Sequence, residues 1–244
     1  MKYMGSKARI AKYILPIILE NRKEGQYYVE PFCGGCNMID RVGGMRLAAD
    51  NNKYLIALFE GLQEGRKHTK EIPRELYNRA RSEYNAGTEI EFSLFEIAWI
   101  GYMASANGRF YEGGYSGTSK TKIGTERNYI EESIKGIEKQ IPLLSGTHFQ
   151  CSDYTDLEIP LGSIVYCDIP YKGTKQYATS KNFNHSKFWN WAREKSKQNT
   201  LFVSEYSAPD DFECIWEMEV KSSLSANAGF GGNKNSIEKL FMLK

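Results

Sequence analysis

The residues best suited to chemistry lie in one run, Val165-Tyr166-Cys167-Asp168-Ile169-Pro170-Tyr171, which brings an acid, a proline and an aromatic ring to one point. An apolar run ending in Asp reads as a buried strand whose carboxyl tip bears a site, because ligands of open α/β sheets sit beyond the carboxyl ends of the strands. Pro170 ends the ladder and stiffens the turn. Asp168 offers a hydrogen-bond acceptor, Ile169 a main-chain carbonyl and Tyr171 a flat apolar face. Two acceptors and a ring suit a planar base that carries an exocyclic amine. A plain strand followed by an Asp-Pro turn reads the same way in isolation, so the companions of this run decide its meaning.

Those companions begin at the other end of the chain. Lys2-Tyr3-Met4-Gly5-Ser6-Lys7 precedes apolar residues at Ile10, Tyr13, Ile14, Ile17 and Ile18, the spacing of one helix face, with Ser6 as N-cap and Pro16 as a kink. Gln26 to Glu30 reads as the first strand. Pro31-Phe32-Cys33-Gly34-Gly35-Cys36-Asn37 then forms a glycine-bearing turn into a short helix from Met38, where small residues let a backbone approach a ligand closely. The dinucleotide fingerprint G-x-G-x-x-G is absent. A second strand, Arg46 to Ala49, ends at Asp50, 16 residues past Gly34, near the spacing at which an acid holds a ribose hydroxyl. A glycine turn with a ribose acid makes a nucleoside site; an Asp before a polar turn is the plainer alternative for Asp50.

From Asn52 to Pro142 helical periodicity covers 53–65, 74–85, 92–106 and 126–141, with no strand of the main sheet between. About ninety residues exceed what a crossover needs, so this is an inserted, mainly helical lobe spanning 53–142. Within it Ser105 to Thr125 reads as a flexible polar loop carrying Asn107, Arg109, Phe110, Tyr111, Tyr115, Lys120 and Lys122, a mixture suited to base edges and phosphates. Strands resume at 148–151, 164–167, 201–204, 214–220 and 237–243. The last two lack a helix between them, as in an antiparallel hairpin closing an otherwise parallel sheet. His185 to Lys197 reads as a crossover helix whose Phe188, Trp189 and Trp191 belong to the core.

A chain of 244 residues can bury a full core without disulfide or metal. No apolar run reaches membrane-span length and no signal-peptide core follows Met1, so the expectation is a soluble cytoplasmic protein with no membrane partner. Five cysteines without a regular framework agree with a reducing compartment. Cys33 and Cys36 have C-x-x-C spacing, yet no second pair or histidine cluster follows, and no metal is expected. The net charge is +2. Residues 172–200 are basic and 205–220 acidic, which gives a positive and a negative face if the two segments face apart.

In this order the motifs resemble those of the Dam-like, D12-class (alpha-group) DNA adenine-N6 methyltransferases over nearly the whole chain. Tyr3-Met4-Gly5-Ser6-Lys7 is similar to that family's first cofactor motif, Glu30-Pro31-Phe32-Cys33-Gly34-Gly35 to its E-P-F-x-G loop, Asp153-Tyr154 to its D-F element, and Asp168-Ile169-Pro170-Tyr171 to its catalytic D-P-P-Y. The resemblance implies a Rossmann-like methyltransferase sheet built from 1–52 and 143–244, with 53–142 as the target-recognition domain. It implies S-adenosyl-L-methionine as cofactor, held by Tyr3, Lys7, Glu30, Phe32, Gly34, Gly35, Asp50, Asp153, Tyr154 and Asp168. Double-stranded DNA is the implied partner, met by Asn107, Arg109, Tyr115, Lys120, Lys122, Lys172, Lys175 and Tyr177, with no obligatory protein partner. Two positions depart from the pattern: Cys36 replaces a loop glycine and Ile169 the first proline. An aliphatic residue at the latter place is also a feature of ribosomal-RNA adenine methyltransferases. RNA methylation, and a binding-only regulator on the same scaffold, are the alternatives.

Overall fold

The computed structural model describes residues 1–120, 124–172, 183–221 and 235–244. Its strands are β1 (Tyr28–Glu30), β2 (Arg46–Asp50), a separate antiparallel pair β3 (Thr118–Lys120) and β4 (Glu126–Asn128), then β5 (Thr147–Cys151), β6 (Ile164–Asp168), β7 (Thr200–Glu205), β8 (Phe212–Lys221) and β9 (Asn235–Leu243). The seven-stranded sheet runs β5-β2-β1-β6-β7-β9-β8. Strands β5, β2, β1, β6 and β7 are parallel, while β9 runs antiparallel to both β7 and β8. The α/β class, the mostly parallel sheet and its antiparallel C-terminal edge agree with the expectation from sequence.

The pleat sorts the strand residues onto two layers. Tyr28, Ala48, Phe149, Ile164, Tyr166, Phe202 and Leu240 face one; Val29, Leu47, Ala49, Val165, Cys167, Leu201, Val203 and Phe241 face the other. The first layer holds α1 (Ala11–Ile18), α2 (Lys53–Gln63), α3 (Arg74–Ala86), α4 (Leu94–Ala104) and α5 (Tyr129–Gln140), and the second holds α6 (His185–Ser196). Central parallel strands are covered on both faces, which is why Ile164-Val165-Tyr166-Cys167 is apolar without alternation. Phe188 and Trp189 of α6 are buried core residues, as their sequence context suggests.

Helix α4 explains how the inserted segment is anchored. From Ile97 onward it is apolar on all sides, as a helix must be when other helices surround it, and a Ser93–Glu96 capping box fixes its start. It packs against α2, α3 and α5. Phe59 of α2 stacks on Phe149 of β5 with centroids 5.4 Å apart. One apolar core therefore runs from the insertion into the sheet.

Two expectations are corrected. The stretch after α4 is not a loop with free stacking rings. Phe110 stacks on Tyr102 at 4.5 Å, Tyr111 is 2% exposed and donates its hydroxyl to the Ile97 carbonyl, and Tyr115 donates to the Ile72 carbonyl. Burying this aromatic area outweighs the polarity of the intervening residues. A glycine-aromatic composition reads alike for a stacking loop and for a plug folded back on a core. The basic and acidic segments also do not face wholly apart: Arg193 of α6 donates to Asp211 at 2.8 Å, so they meet before β8.

Because the core is continuous, Phe59→Ala is expected to lower global stability by about 3–5 kcal/mol in one cooperative transition. Two separated transitions in denaturant titration, or no loss, would contradict a shared core.

Candidate active site

With five parallel strands the carboxyl ends of β1, β2, β5, β6 and β7 share one edge of the sheet. The strand order reverses between β1 and β6, the place where open α/β sheets leave a crevice. The glycine turn follows β1 here, and Tyr3 lies against it. A Cβ on Gly35 would stand 2.5 Å from the Tyr3 Cβ, and one on Gly34, whose φ is +46°, would stand 2.8 Å from the Tyr3 ring. Side chains at either position would push the N-terminal segment off the loop. Asp50, at the end of β2, accepts from the Gly34 N–H (3.1 Å) and the Asn52 N–H (3.0 Å). Burial raises its pKa while these two bonds oppose the shift. Asp50 thus fixes the turn.

Phe32 packs against Tyr154 at 5.2 Å, and Tyr154 packs edge-on against Trp191 at 5.1 Å, so the two form adjoining apolar walls. Asp153 accepts from both the N–H and the hydroxyl of Thr155, closing its own turn. Glu30 is 3% exposed and accepts from the Tyr28 hydroxyl; burial holds its carboxyl well above the ordinary range. Cys36 adopts φ +54° and is fully buried. Replacing a glycine there places a side chain in the left-handed region at a cost of about 1–2 kcal/mol. Its thiol turns inward to Cys33, whose pKa is raised by that hydrogen bond and by burial. Among the described residues no group of three or more His, Cys, Asp or Glu could hold a metal ion.

At the tip of β6 the charges converge. Asp168 lies on the Tyr166 face of the strand, and Lys7 Nζ stands 3.0 Å from its Oδ1, 3.5 Å from Glu238 Oε2 and 4.3 Å above the Tyr171 ring centroid. Burial alone lowers the Lys7 pKa, but the two carboxylates outweigh it and the net shift is upward. Burial pushes the Asp168 carboxyl up to about 6 against the opposing pull of Lys7, with Glu238 and Glu205 adding to the rise. Asp168 keeps 23% of its side chain exposed. Tyr171 is 8% exposed, donates its hydroxyl to Glu238 Oε2 at 2.8 Å and meets Tyr206 edge-on.

The rest of the turn is held from the α6 side. His185 Nε2 lies 2.9 Å from the Pro170 carbonyl, and Glu205 accepts from the Lys172 and Tyr206 N–H groups. Ile169 is 2% exposed and its side chain joins the α6 core, so replacing proline fills that layer and leaves the main chain at the tip. Lys7, which the resemblance assigns to the cofactor, carries its ammonium to Asp168. Sequence reasoning missed Glu205, Glu238 and His185. Glu205 and Glu238 have no motif around them, and only strand pairing brings them to β6.

Of the residues assigned to DNA, Asn107 is exposed on a turn at φ +58°, and Gly108 beside it packs so closely that a Cβ would meet the Lys2 carbonyl at 2.6 Å. Arg109 donates to the Met4 sulfur at 3.2 Å. Gly108 and Arg109 therefore sit against the N-terminal segment. Tyr115 is part-exposed, with its hydroxyl bonded to the Ile72 carbonyl and Arg74 4.7 Å over its ring. Lys120 and Lys172 are exposed. Lys122, Lys175 and Tyr177 lie outside the described residues.

A glycine turn tied to the acid of the neighbouring strand, at the point where strand order reverses, marks a Rossmann-like α/β protein. Within that class the chain belongs to the D12 class N6 adenine-specific DNA methyltransferases, the family that matches residues 3–208. It is 28% identical over 187 residues to the retron Ec67 DNA adenine methylase of Escherichia coli, a match covering 71% of this chain and 64% of that protein. The chain thus spans less than two thirds of that relative's length. A solved structure of SMU.472, described as a methyltransferase in complex with SAH, matches 98% of this chain and 53% of its own, with a TM-score of 0.39 and 10% identity.

Lys7→Met removes the cation that opposes the burial of Asp168, so the protonation midpoint of that carboxyl is expected to rise above about 6. A carboxyl-detected NMR titration reads it, and an unchanged or lower midpoint would refute the pairing.

Proposed function

We propose that this protein transfers a methyl group from S-adenosyl-L-methionine to N6 of an adenine flipped out of double-stranded DNA. The observation that carries the reading is the pair of Asp168 and Tyr171 at the tip of β6, beside the Gly34–Asp50 turn. Family membership supports it. The residues fit the cofactor: Asp50 is an acceptor for ribose hydroxyls, Phe32 and Tyr154 form an apolar wall beside the turn, and Gly34 and Gly35 let Tyr3 lie close against the loop. When bound, the cofactor supplies an electrophilic methyl on a sulfonium.

The chain's own residues do the remaining work. A base paired in a duplex cannot present its amine, so it must leave the stack. Tyr171 then stacks on it by the ring face opposite Lys7, whose ammonium lies 4.3 Å over the other. Asp168 and the Ile169 carbonyl accept hydrogen bonds from the two N6 hydrogens, which draws the nitrogen lone pair out of conjugation and aims it at the methyl; as the N–C bond forms and the C–S bond of the sulfonium breaks, one N6 proton is released to solvent. Catalysis on this reading is orientation and electrostatics, and it requires Asp168 ionised. The segment 53–142 serves as the target-recognition domain, with Asn107, Arg109 and Lys120 on the duplex. Tyr115 and Lys122 belong with these, and Lys172, Lys175 and Tyr177 contact the strand beside the flipped base.

Labelled S-adenosyl-L-methionine incubated with unmethylated duplex DNA, followed by nucleoside analysis, should yield N6-methyladenine. Label in a parallel ribosomal RNA sample alone would replace the substrate, and label in neither would overturn the reading. Asp168→Ala is expected to lower turnover by about 100-fold or more. The free-enzyme kcat/KM should fall with acid as Asp168 takes up its proton near pH 6, and a profile flat to pH 5 would remove it as the acceptor. Arg109→Ala should weaken DNA binding about ten-fold, a loss read by equilibrium titration with labelled duplex.

A further inference from the structure

Glu238 lies on β9, thirty residues beyond the segment 3–208 that the family matches. Strand pairing explains how it reaches the site. β9 runs antiparallel to β7 with Ser204 opposite Leu240 and Glu205 opposite Lys239, so Glu238 falls one position past the end of β7, at the carboxyl edge. The pleat turns it to the Leu240 face, the side that also bears Tyr166 and Asp168. There one oxygen, Oε2, accepts the Tyr171 hydroxyl at 2.8 Å and stands 3.5 Å from Lys7 Nζ. Its side chain is 15% exposed.

We propose that Glu238 is a positioning residue for methyl transfer, fixing the Tyr171 ring through its hydroxyl and dividing the Lys7 charge between itself and Asp168. This rests on the methyltransferase reading above. A ring held only by packing can swivel about its bond to the backbone; a hydroxyl anchored on a second strand sets the plane on which a base stacks. A lysine paired with Asp168 alone would hold that carboxylate's lone pairs more tightly and leave it a poorer acceptor for an amine. Asp168 faces Lys7 from the N-terminal turn, Glu238 from β9, Glu205 from β7 and Glu30 from β1, with Tyr166, Cys167 and Tyr171 beside it on its own chain segment. Removing the Glu238 charge takes away one of the influences that raise the Asp168 pKa.

Glu238→Ala and Glu238→Gln separate the two roles. The alanine variant loses both the acceptor and the charge; its kcat is expected to fall about ten-fold with the KM for S-adenosyl-L-methionine within about two-fold. Combining it with Tyr171→Phe should cost no more than the larger single loss, since both remove the same bond. The glutamine variant keeps an acceptor for Tyr171 but leaves the Lys7 charge to Asp168 alone, so it should restore only part of kcat at neutral pH while its acid limb moves to lower pH than the wild type. Glu217→Gln, exposed on β8, serves as the control with unchanged kinetics. Wild-type protein that forms no N6-methyladenine would overturn the underlying reaction. Wild-type activity with an unchanged kcat in Glu238→Ala would overturn the positioning role alone. If the alanine variant unfolds, the glutamine acid limb decides, and a limb coincident with wild type would refute the charge division.

Discussion

The Lys7 ammonium, almost wholly buried, lies between a carboxylate on the fourth strand of the main sheet and another on the last strand of the chain. Removing one partner of such a buried group leaves an uncompensated charge, at a cost of about 3–5 kcal/mol. The contact therefore does more than stabilise. It fixes the N-terminal segment against the tip of β6, and with that segment come Tyr3 on the glycine turn and Met4 against Arg109. The glycine turn, Asp168 and Arg109 are thereby all in contact with one N-terminal segment.

The sheet makes this geometry possible by dividing its side chains between two layers. Asp168 shares a face with Tyr166, the side on which the inserted helices and the N-terminal turn pack, whereas Ile169 faces α6. Each layer then holds the turn by its own device. On one side Glu238 and Lys7 take Tyr171 and Asp168; on the other Glu205 and His185 take the backbone of Lys172 and Pro170. A turn clamped from both faces holds its shape without a second proline. The two departures from the family pattern are absorbed the same way. The Cys36 thiol and the Ile169 side chain both point into the core, so each substitution changes packing behind the site more than its open surface.

Much of this was legible in the residues. The apolar run ending in Asp168, the small residues of the glycine turn, and Asp50 at its spacing from Gly34 each follow from local rules of strand, turn and helix. So do the strands of the sheet and the helices of the insertion, because periodicity is a local property of the chain. The loop after α4 misled for a physical reason: Phe110, Tyr111 and Tyr115 have the composition of a binding loop, and only the apolar surface of α4, ready to accept them, turns those rings inward.

The sequence by itself determined the α/β class, the order of the motifs and the acid and ring at the tip of β6, since short-range patterning and spacing encode these. Tertiary structure alone decided which charge meets which. That Lys7 bonds Asp168, that Glu238 anchors Tyr171 across 67 residues of chain, and that Arg193 meets Asp211 depends on strand register and on the pleat. Those pairings have no local signature, because an isolated glutamate in an alternating strand reads as surface until its neighbour in the sheet is known.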